Sequence, residues 1–142
     1  MIRYTDDLSG IDPAQLAGPY WIGWPDPPAP EDHLRILQGS YAVWLALDDE
    51  TGDVVGFINA VSDGVLTAYI PLLEVIAPYQ GRGIGSELVR RMLGTLRHLY
   101  QIDLICNDDL QPFYKRFGMA PWGGMIIRNF DRQNAAPLDR KE

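Results

Sequence analysis

The sequence predicts an α+β fold in which helices flank a central, mostly antiparallel mixed sheet. Two observations support this prediction. Three β-rich runs, at 41–47, 54–61 and 65–76, are separated only by short acidic or glycine-containing turns, which is typical of an antiparallel meander. The apolar residues between 84 and 96 then recur with a period of 3.6, which predicts one long helix over 85–99 with a single apolar face.

Length and composition narrow the classes of function. The chain has 142 residues, of which 46% are hydrophobic and 22% charged, as in one ordinary globular domain. Its net charge of −7 argues against nucleic acid or an anionic membrane as partner, because both attract clustered Lys and Arg. The residues after Met1 lack the basic and apolar regions of a signal peptide, so we expect a soluble, cytoplasmic protein without a membrane span. The single cysteine, Cys106, and two distant histidines offer no metal-ligand spacing, and no metal is expected.

The first forty residues are the least regular part of the chain. A short helix is predicted for 30–37, since a proline opens it and a glycine follows its end. Before this helix, residues 18–30 form a proline-rich loop that nevertheless carries the rings of Tyr20, Trp21 and Trp24. These rings either plug one end of the core or form the wall of a ligand pocket.

Shorter elements complete the chain after the long helix. A strand is predicted for 102–106, a helix for 110–117 and a last strand for 122–128. The polar residues from 131 onward are expected to fray. The predicted order is therefore a strand, a helical region, three strands, the long helix, a strand, a helix and a strand, with no internal repeat.

The segment that suggests chemistry lies between the third β-rich run and the long helix. Its glycines, at 81, 83 and 85, alternate with larger residues. Because glycine has no Cβ, backbone N–H groups in such a turn can point at a ligand. The helix N-terminus adds unpaired donors and partial positive charge. The segment therefore predicts a site for a phosphate or pyrophosphate, to which Arg82 adds a full charge.

Two other glycine-rich motifs fit this segment less well. The dinucleotide-binding motif G-x-G-x-x-G requires a third glycine where Ser86 stands, and the preceding elements form a meander rather than a βαβ unit. A nucleotide-binding P-loop is excluded because no Gly-Lys-Ser or Gly-Lys-Thr follows. A tight turn that serves packing alone stays open as an alternative.

Two motifs together resemble the GNAT acetyltransferase superfamily. The run Gln80-Gly81-Arg82-Gly83-Ile84-Gly85 is similar to the Gln/Arg-x-x-Gly-x-Gly/Ala signature of that family. The run Pro112-Phe113-Tyr114-Lys115-Arg116-Phe117-Gly118-Met119 is similar to its F-Y-x-x-x-G-F/M segment, with one helix and one strand between the two motifs. The resemblance covers about residues 41–128. One departure is that Ala77 stands where the family often has proline, and Pro78 follows one position later.

The resemblance implies the GNAT acyl-CoA acyltransferase fold in one domain, 1–142. Residues 1–40 would be the variable acceptor-side region, 41–130 the core and 131–142 a polar tail. The implied function is an acetyl-CoA-dependent N-acetyltransferase that moves an acetyl group directly to a primary amine of a small molecule or peptide. A non-catalytic, acyl-CoA-binding regulatory module of the same fold is the alternative, since a fold does not guarantee chemistry, and nicotinamide-dependent redox chemistry is a third interpretation. Homodimers are common in the family, although nothing in the sequence fixes an interface.

The same resemblance assigns the residues that bind acetyl-CoA. The backbone N–H groups of the glycine-rich turn would hold its pyrophosphate, and this set is Gln80, Gly81, Arg82, Gly83, Ile84, Gly85 and Ser86. Val75 and Ile76 would hydrogen-bond the pantetheine arm. A backbone N–H near Glu74 or Val75 would face the thioester oxygen and stabilise a tetrahedral intermediate.

Candidate catalytic and acceptor-binding residues follow. Tyr114 matches the family's usual general acid, since a phenol can return a proton to the departing thiolate; the alternative is a helix residue packed under the sheet. Glu74 is the candidate base, because a carboxylate within an apolar strand must face a cleft or have a partner that compensates its charge. The equal alternative is that Glu74 is an exposed or salt-bridged strand residue without a catalytic role. Cys106 is expected to be a core thiol. The acidic chain and the rings of Trp21 and Trp24 favour a cationic amine as acceptor.

Overall fold

The computed structural model describes residues 1–138, and the last four residues of the predicted tail, 139–142, lie outside the described residues. The strands are Ile2–Thr5 (β1), Ala42–Asp48 (β2), Val54–Ser62 (β3), Thr67–Val75 (β4) and Gln101–Asp103 (β5). The α-helices are Pro30–Gln38 (α1), Ile84–Thr95 (α2) and Gln111–Lys115 (α3). Single 3-10 turns lie at Pro13–Leu16, Ala77–Tyr79, Asp108–Leu110 and Phe130–Arg132.

The five strands form one sheet in chain order, β1-β2-β3-β4-β5. The first four strands are antiparallel neighbours, and β5 is parallel to β4, which confirms the predicted mixed, mostly antiparallel sheet. The ladder between β4 and β5 extends only from Thr67 to Tyr69 on the β4 side. The two strands then separate, so the second half of β4 has no strand partner on this side within the described part of the chain.

Both faces of the sheet are covered. The seven buried residues that open β3 follow one another without alternation, as expected for a strand with a layer on each side. On one face α2 approaches closely, since a Cβ added at Gly56 would lie 3.3 Å from Ile84 Cγ2 and 3.3 Å from Leu88 Cδ1. On the other face the ring of Phe57 contacts His33 of α1, with ring centroids 4.4 Å apart. The core therefore lies between the sheet and each of these two helices.

The predicted last strand at 122–128 is wrong. The segment belongs to no helix or strand, and its backbone makes no backbone hydrogen bond to any described residue. Its large apolar side chains are exposed, at 96% for Trp122, 97% for Met125 and 85% for Ile127. The apolar pattern was present, but a strand also needs a neighbouring edge within hydrogen-bond reach. Within residues 1–138, no helix is long and apolar enough to span a membrane.

Candidate functional site

The glycine-rich turn connects β4 to α2 and exposes its backbone. Gly81 has φ 78° and Gly83 has φ 81°, values in the left-handed region that favours glycine. Gly83 is also the N-cap of α2, where it supplies no side-chain hydrogen bond. A Cβ added at either glycine would meet nothing within 4 Å. Backbone conformation, rather than close packing, therefore requires glycine at both positions.

Six consecutive N–H groups in this turn are free. Those of residues 81–86 donate to no acceptor among the described residues, and the first helical bond runs from the N–H of Glu87 to the carbonyl of Gly83 at 3.1 Å. The aligned peptide dipoles of α2 add partial positive charge at the same end. Free donors and positive potential together form a site that favours an anion such as a phosphate.

Two arginines lie beside these donors. The guanidinium of Arg82 donates to the carbonyl of Pro78 at 3.3 Å and lies 4.9 Å from the centroid of the Tyr79 ring. The guanidinium of Arg116, from the end of α3, donates to Ser86 Oγ at 2.9 Å. Arg116 was missed by the sequence reasoning. The only signal for it was its place in the second family motif, and no local pattern shows that α3 brings it to the first turn of α2.

The strand exit offers one free backbone donor rather than two. The N–H of Ile76 donates to the carbonyl of Val55 at 3.0 Å, and its carbonyl accepts from the N–H of Tyr79 at 2.9 Å. The N–H of Ile76 is therefore occupied, so this residue has no free backbone donor for a pantetheine arm. Because donors alternate along an antiparallel strand, the N–H of Val75 points away from β3 and toward the opening beside β4. The carbonyl of Val75 accepts from Gln80 Nε2 at 2.8 Å, which fixes the start of the turn.

Glu74 lies on the face of β4 opposite to Val75. Its pairing with Phe57 places it toward α1, and its carboxylate accepts a hydrogen bond from the N–H of Trp21 at 2.9 Å. Burial raises the pKa of Glu74 above its usual range, although the bond from Trp21 opposes this. A raised pKa makes the carboxylate a better proton acceptor near neutral pH. The raised pKa of Glu74 is therefore consistent with a catalytic base, and its hydrogen bond from Trp21 is equally consistent with a structural role.

The two tryptophans of the 18–30 loop have different surroundings. Trp21 is only 7% exposed and packs on His33, with ring centroids 5.0 Å apart. Its φ of 65° is unusual for a residue other than glycine, and the hydrogen bond to Glu74 helps to hold this conformation. The ring of Trp24 is tilted against that of Trp21, with centroids 4.9 Å apart, and Trp24 is 38% exposed. Trp21 thus belongs to the core, and Trp24 is the ring of the pair that a ligand can reach.

Tyr114 lies in α3 and lines an open cavity of about 940 Å³ beside β5. Burial raises the pKa of its phenol to about 12, and the nearby Cys106 adds to the effect. The phenol therefore keeps its proton at neutral pH and can donate it to a basic group held in contact. Among the described residues no hydrogen bond joins Tyr114 to Glu74. Cys106 is half-buried and lines the same cavity.

Phe113, the residue before Tyr114, lies where α3 approaches the start of α2. A Cβ added at Gly85 would lie 3.9 Å from the Phe113 ring and 3.9 Å from Val75 Cγ2. The free N–H groups, the outward N–H of Val75 and the helix that carries Tyr114 are therefore neighbours. Within residues 1–138, no group of three His, Cys, Asp or Glu side chains could hold a metal ion.

Comparison with known sequences supports this arrangement. The sequence model of the acetyltransferase (GNAT) family matches residues 12–119. The chain is 42% identical over 78 residues to GCN5-related N-acetyltransferase 3, chloroplastic, of Arabidopsis thaliana, a match that covers 54% of this chain and 33% of that protein. It is 32% identical over 95 residues to serotonin N-acetyltransferase 2, chloroplastic, of Oryza sativa subsp. japonica, covering 63% of this chain and 48% of that protein. The chain thus spans about a third to a half of the length of these curated relatives.

Comparison with solved structures extends over nearly the whole chain. A protein of Deinococcus radiodurans, provisionally named an acetyltransferase, has a TM-score of 0.92 and 47% identity, covering 96% of this chain and 94% of that chain. A GNAT family acetyltransferase of Streptococcus pneumoniae TIGR4 has a TM-score of 0.73 and 29% identity, covering 91% of this chain and 98% of that chain. With the mixed sheet and the glycine-rich turn at the start of α2, these matches show that the chain belongs to the GNAT acetyltransferase family.

Proposed function

We propose that this protein transfers an acetyl group from acetyl-CoA to a primary amine of a small molecule or peptide. Membership of the GNAT family supports acetyl transfer in general, and the curated relatives are named N-acetyltransferases. The observation that carries the proposal is the run of six free N–H groups at residues 81–86, where α2 begins.

The residues of the turn fit the pyrophosphate of CoA. The six backbone donors have no acceptor among the described residues, and a Cβ added at Gly81 or Gly83 would meet nothing within 4 Å, so there is room for an anion beside these two glycines. Arg82 and Arg116 lie beside them as cations. The opening where β4 leaves β5 extends from this turn along the strand edge, which gives the pantetheine arm a path past Val75.

The chemistry assigned to each residue follows from its environment. Acetyl-CoA supplies an activated thioester, and transfer forms a C–N bond to the amine while the C–S bond breaks. The N–H of Val75 donates to the oxygen that becomes negative in the tetrahedral intermediate. Tyr114 gives its phenolic proton to the departing sulfur, and the ammonium proton passes to Glu74 or to water. The second proton, which the attacking nitrogen loses as the amide forms, passes through solvent and restores the phenol of Tyr114.

The acceptor we propose is a cationic amine. The chain carries a net charge of −7, which favours the approach of a cation. Trp24 offers a partly exposed ring for cation–π contact on the acceptor-side loop, whereas Trp21 supports that ring from the core. A raised pKa at Glu74 allows this carboxylate to take the proton that the amine must lose before it attacks.

Calorimetric titration with acetyl-CoA, and in parallel with CoA, tests the binding site. We expect micromolar binding that Gly83→Glu abolishes, because the new carboxylate repels the phosphates. Gly10→Glu is the matched control: Gly10 has φ 80° and nothing within 4 Å of an added Cβ, so backbone strain and added charge are the same. Unchanged affinity in Gly83→Glu, or no binding by the unmodified protein, would contradict the proposal.

Thiol release from acetyl-CoA across a panel of amines tests the chemistry. We expect turnover with at least one amine, and we expect Tyr114→Phe to lower it about 10²–10⁴-fold while CoA affinity is kept. Binding without thiol release from any amine would instead favour the non-catalytic acyl-CoA-binding module. Normal turnover in Tyr114→Phe would remove this residue as the acid.

A further inference from the structure

We propose that residues 133–136 form a clasp on residues 22–29 of the proline-rich loop, and that this clasp positions the ring of Trp24 for the acceptor amine. The proposal deepens the acetyl-transfer function and rests on it for the identity of the ligand. Gln133 and Asn134 are then positioning residues, which act on the ring through Asp26.

The tail meets the domain again at residues 133–136. These four residues are half-buried, whereas residues 120–132 are all exposed. A compact turn forms here, since Asn134 Oδ1 accepts from the N–H of Ala136 at 2.9 Å and the carbonyl of Arg132 accepts from the N–H of Ala135 at 3.1 Å. The fraying expected from 131 onward therefore does not describe these four residues.

Three hydrogen bonds join this turn to the first forty residues. The N–H of Asp26 donates to Gln133 Oε1 at 2.9 Å, and Asn134 Nδ2 donates to Asp26 Oδ2 at 3.0 Å. The guanidinium of Arg35 donates to the carbonyl of Ala135 at 3.0 Å. Two adjacent side chains of the tail thus bind the backbone and the carboxylate of one loop residue, and this two-point contact fixes the orientation of Asp26.

The loop has few other hydrogen bonds that could hold it. Prolines stand at 25, 27 and 28, so Asp26 and Ala29 carry the only backbone N–H groups of residues 25–29. Within the described part of the chain, residues 25–28 make no hydrogen bond to another backbone group. The two bonds from the tail to Asp26 therefore tie down the middle of the loop.

Trp24 lies close to the clasp along the chain and close to the candidate base in space. Only Pro25 separates Trp24 from Asp26, and the fixed φ of proline makes this link short and stiff. The Trp24 ring lies 4.9 Å from the ring of Trp21, whose N–H donates to the carboxylate of Glu74. The clasp, the partly exposed ring and the candidate base thus form one continuous series of contacts on the acceptor side.

Backbone strain occurs at both ends of this series. Within residues 1–138, Trp21 with φ 65° and Ala135 with φ 57° are the two residues other than glycine in the left-handed region. Such a conformation persists only where the surrounding contacts enforce it. The bond to Glu74 holds Trp21, and the bond from Arg35 holds Ala135. Strain held at both partners of one contact is typical of a functional arrangement.

Two substitutions that exchange the partners test the clasp in the full chain. Asn134→Asp keeps an acceptor for the N–H of Ala136 but sets a carboxylate against that of Asp26, so the clasp should open. Adding Asp26→Asn restores a donor and an acceptor with their roles reversed, so the clasp should close again. Asn129→Asp is the matched control, because it adds the same charge to the tail at an exposed side chain that makes no cap hydrogen bond.

Acrylamide quenching of tryptophan fluorescence reports on Trp24 without any turnover. We expect Asn134→Asp to increase the quenching, the double variant Asp26→Asn, Asn134→Asp to reverse the increase, and Asn129→Asp to leave the quenching unchanged. In a Trp24→Phe background the increase should vanish, which assigns it to this ring. Quenching that stays constant in Asn134→Asp, or an increase that the exchange does not reverse, would overturn the clasp.

Steady-state kinetics with an accepted amine tests the positioning role. We expect Asn134→Asp to raise the KM for the amine about three- to tenfold while kcat and the affinity for CoA are kept, and we expect the double variant to recover the KM. An unchanged KM would overturn the positioning role even where the quenching rises. A protein that binds CoA but turns over no amine would contradict the proposed function and with it the acceptor role, while the quenching would still decide whether the clasp holds Trp24.

Discussion

Acidification should destabilise this protein through one buried histidine. His33 is fully buried in α1, and both of its ring nitrogens lack a hydrogen-bond partner among the described residues. The rings of Tyr20, Trp21 and Phe57 surround it. Burial in this apolar setting lowers the pKa of His33 from 6.5 to about 4. The native state therefore holds His33 neutral in a pH range where the unfolded chain charges it.

The sign and size of the effect follow from proton linkage. Between pH 6.5 and pH 4 the unfolded state binds a proton at His33 that the native state does not, so the free energy of unfolding falls as the pH falls. At about 1.4 kcal/mol per pH unit, the whole interval from 6.5 to about 4 amounts to ~3.5 kcal/mol. Asp48 and Asp63 have pKa values lowered from 3.8, so the stability they contribute is lost below this window. Glu74, whose pKa is raised, acts in the opposite direction, because its native state binds the proton more readily.

Urea unfolding followed by tryptophan fluorescence measures this loss. We expect the unmodified protein to lose about 2–3 kcal/mol of unfolding free energy between neutral pH and about pH 4.5, whereas His33→Leu should lose far less. At neutral pH the variant should be at least as stable, since an apolar side chain of similar volume replaces a buried ring without polar partners. Parallel pH dependence in the two proteins would refute the reasoning, because the slope would then arise from other groups.

Three further substitutions test packing and the site. Gly56→Ala should lower the unfolding free energy by about 1–3 kcal/mol in the same urea assay, because the new Cβ would lie 3.2 Å from the backbone oxygen of Glu74. The control is Gly94→Ala, whose new Cβ would meet nothing within 4 Å and which should stabilise α2 by about 0.5–1 kcal/mol. Glu74→Gln keeps an acceptor for the Trp21 N–H but removes the proton acceptor, so the rise of kcat/KM with pH should flatten; an unaltered pH profile would leave Glu74 a purely structural role. Arg116→Gln should weaken CoA binding up to about tenfold by calorimetry with little change in melting temperature, and equal affinity would exclude a contact with the cofactor.

Local signals in the sequence were sufficient for much of the fold. The meander and α2 were predictable because turn residues and apolar periodicity act within a few residues of each other. The glycines of the turn were predictable for the same reason, since a left-handed φ at Gly81 and Gly83 is a local requirement. The family resemblance added the fold type, which the structure comparison confirms.

Features that depend on distant contacts were not predictable. The loss of Ile76 as a donor depends on the register between β3 and β4, which no single strand encodes. The burial of Trp21 depends on α1 and its His33 lying over the same face of the sheet. The apolar pattern at 122–128 predicted a strand that does not form, because a strand needs a neighbouring edge within hydrogen-bond reach.

The absence of a side chain at Gly56 also sets a dimension of the site. The first turn of α2 meets the sheet at this residue, which pairs directly with Val75. The free N–H groups of residues 81–86 and the outward N–H of Val75 would bind opposite ends of one extended ligand. Gly56, a buried residue of the neighbouring strand, therefore helps to set the distance between those two ends, and a larger side chain there would change the length of ligand that fits.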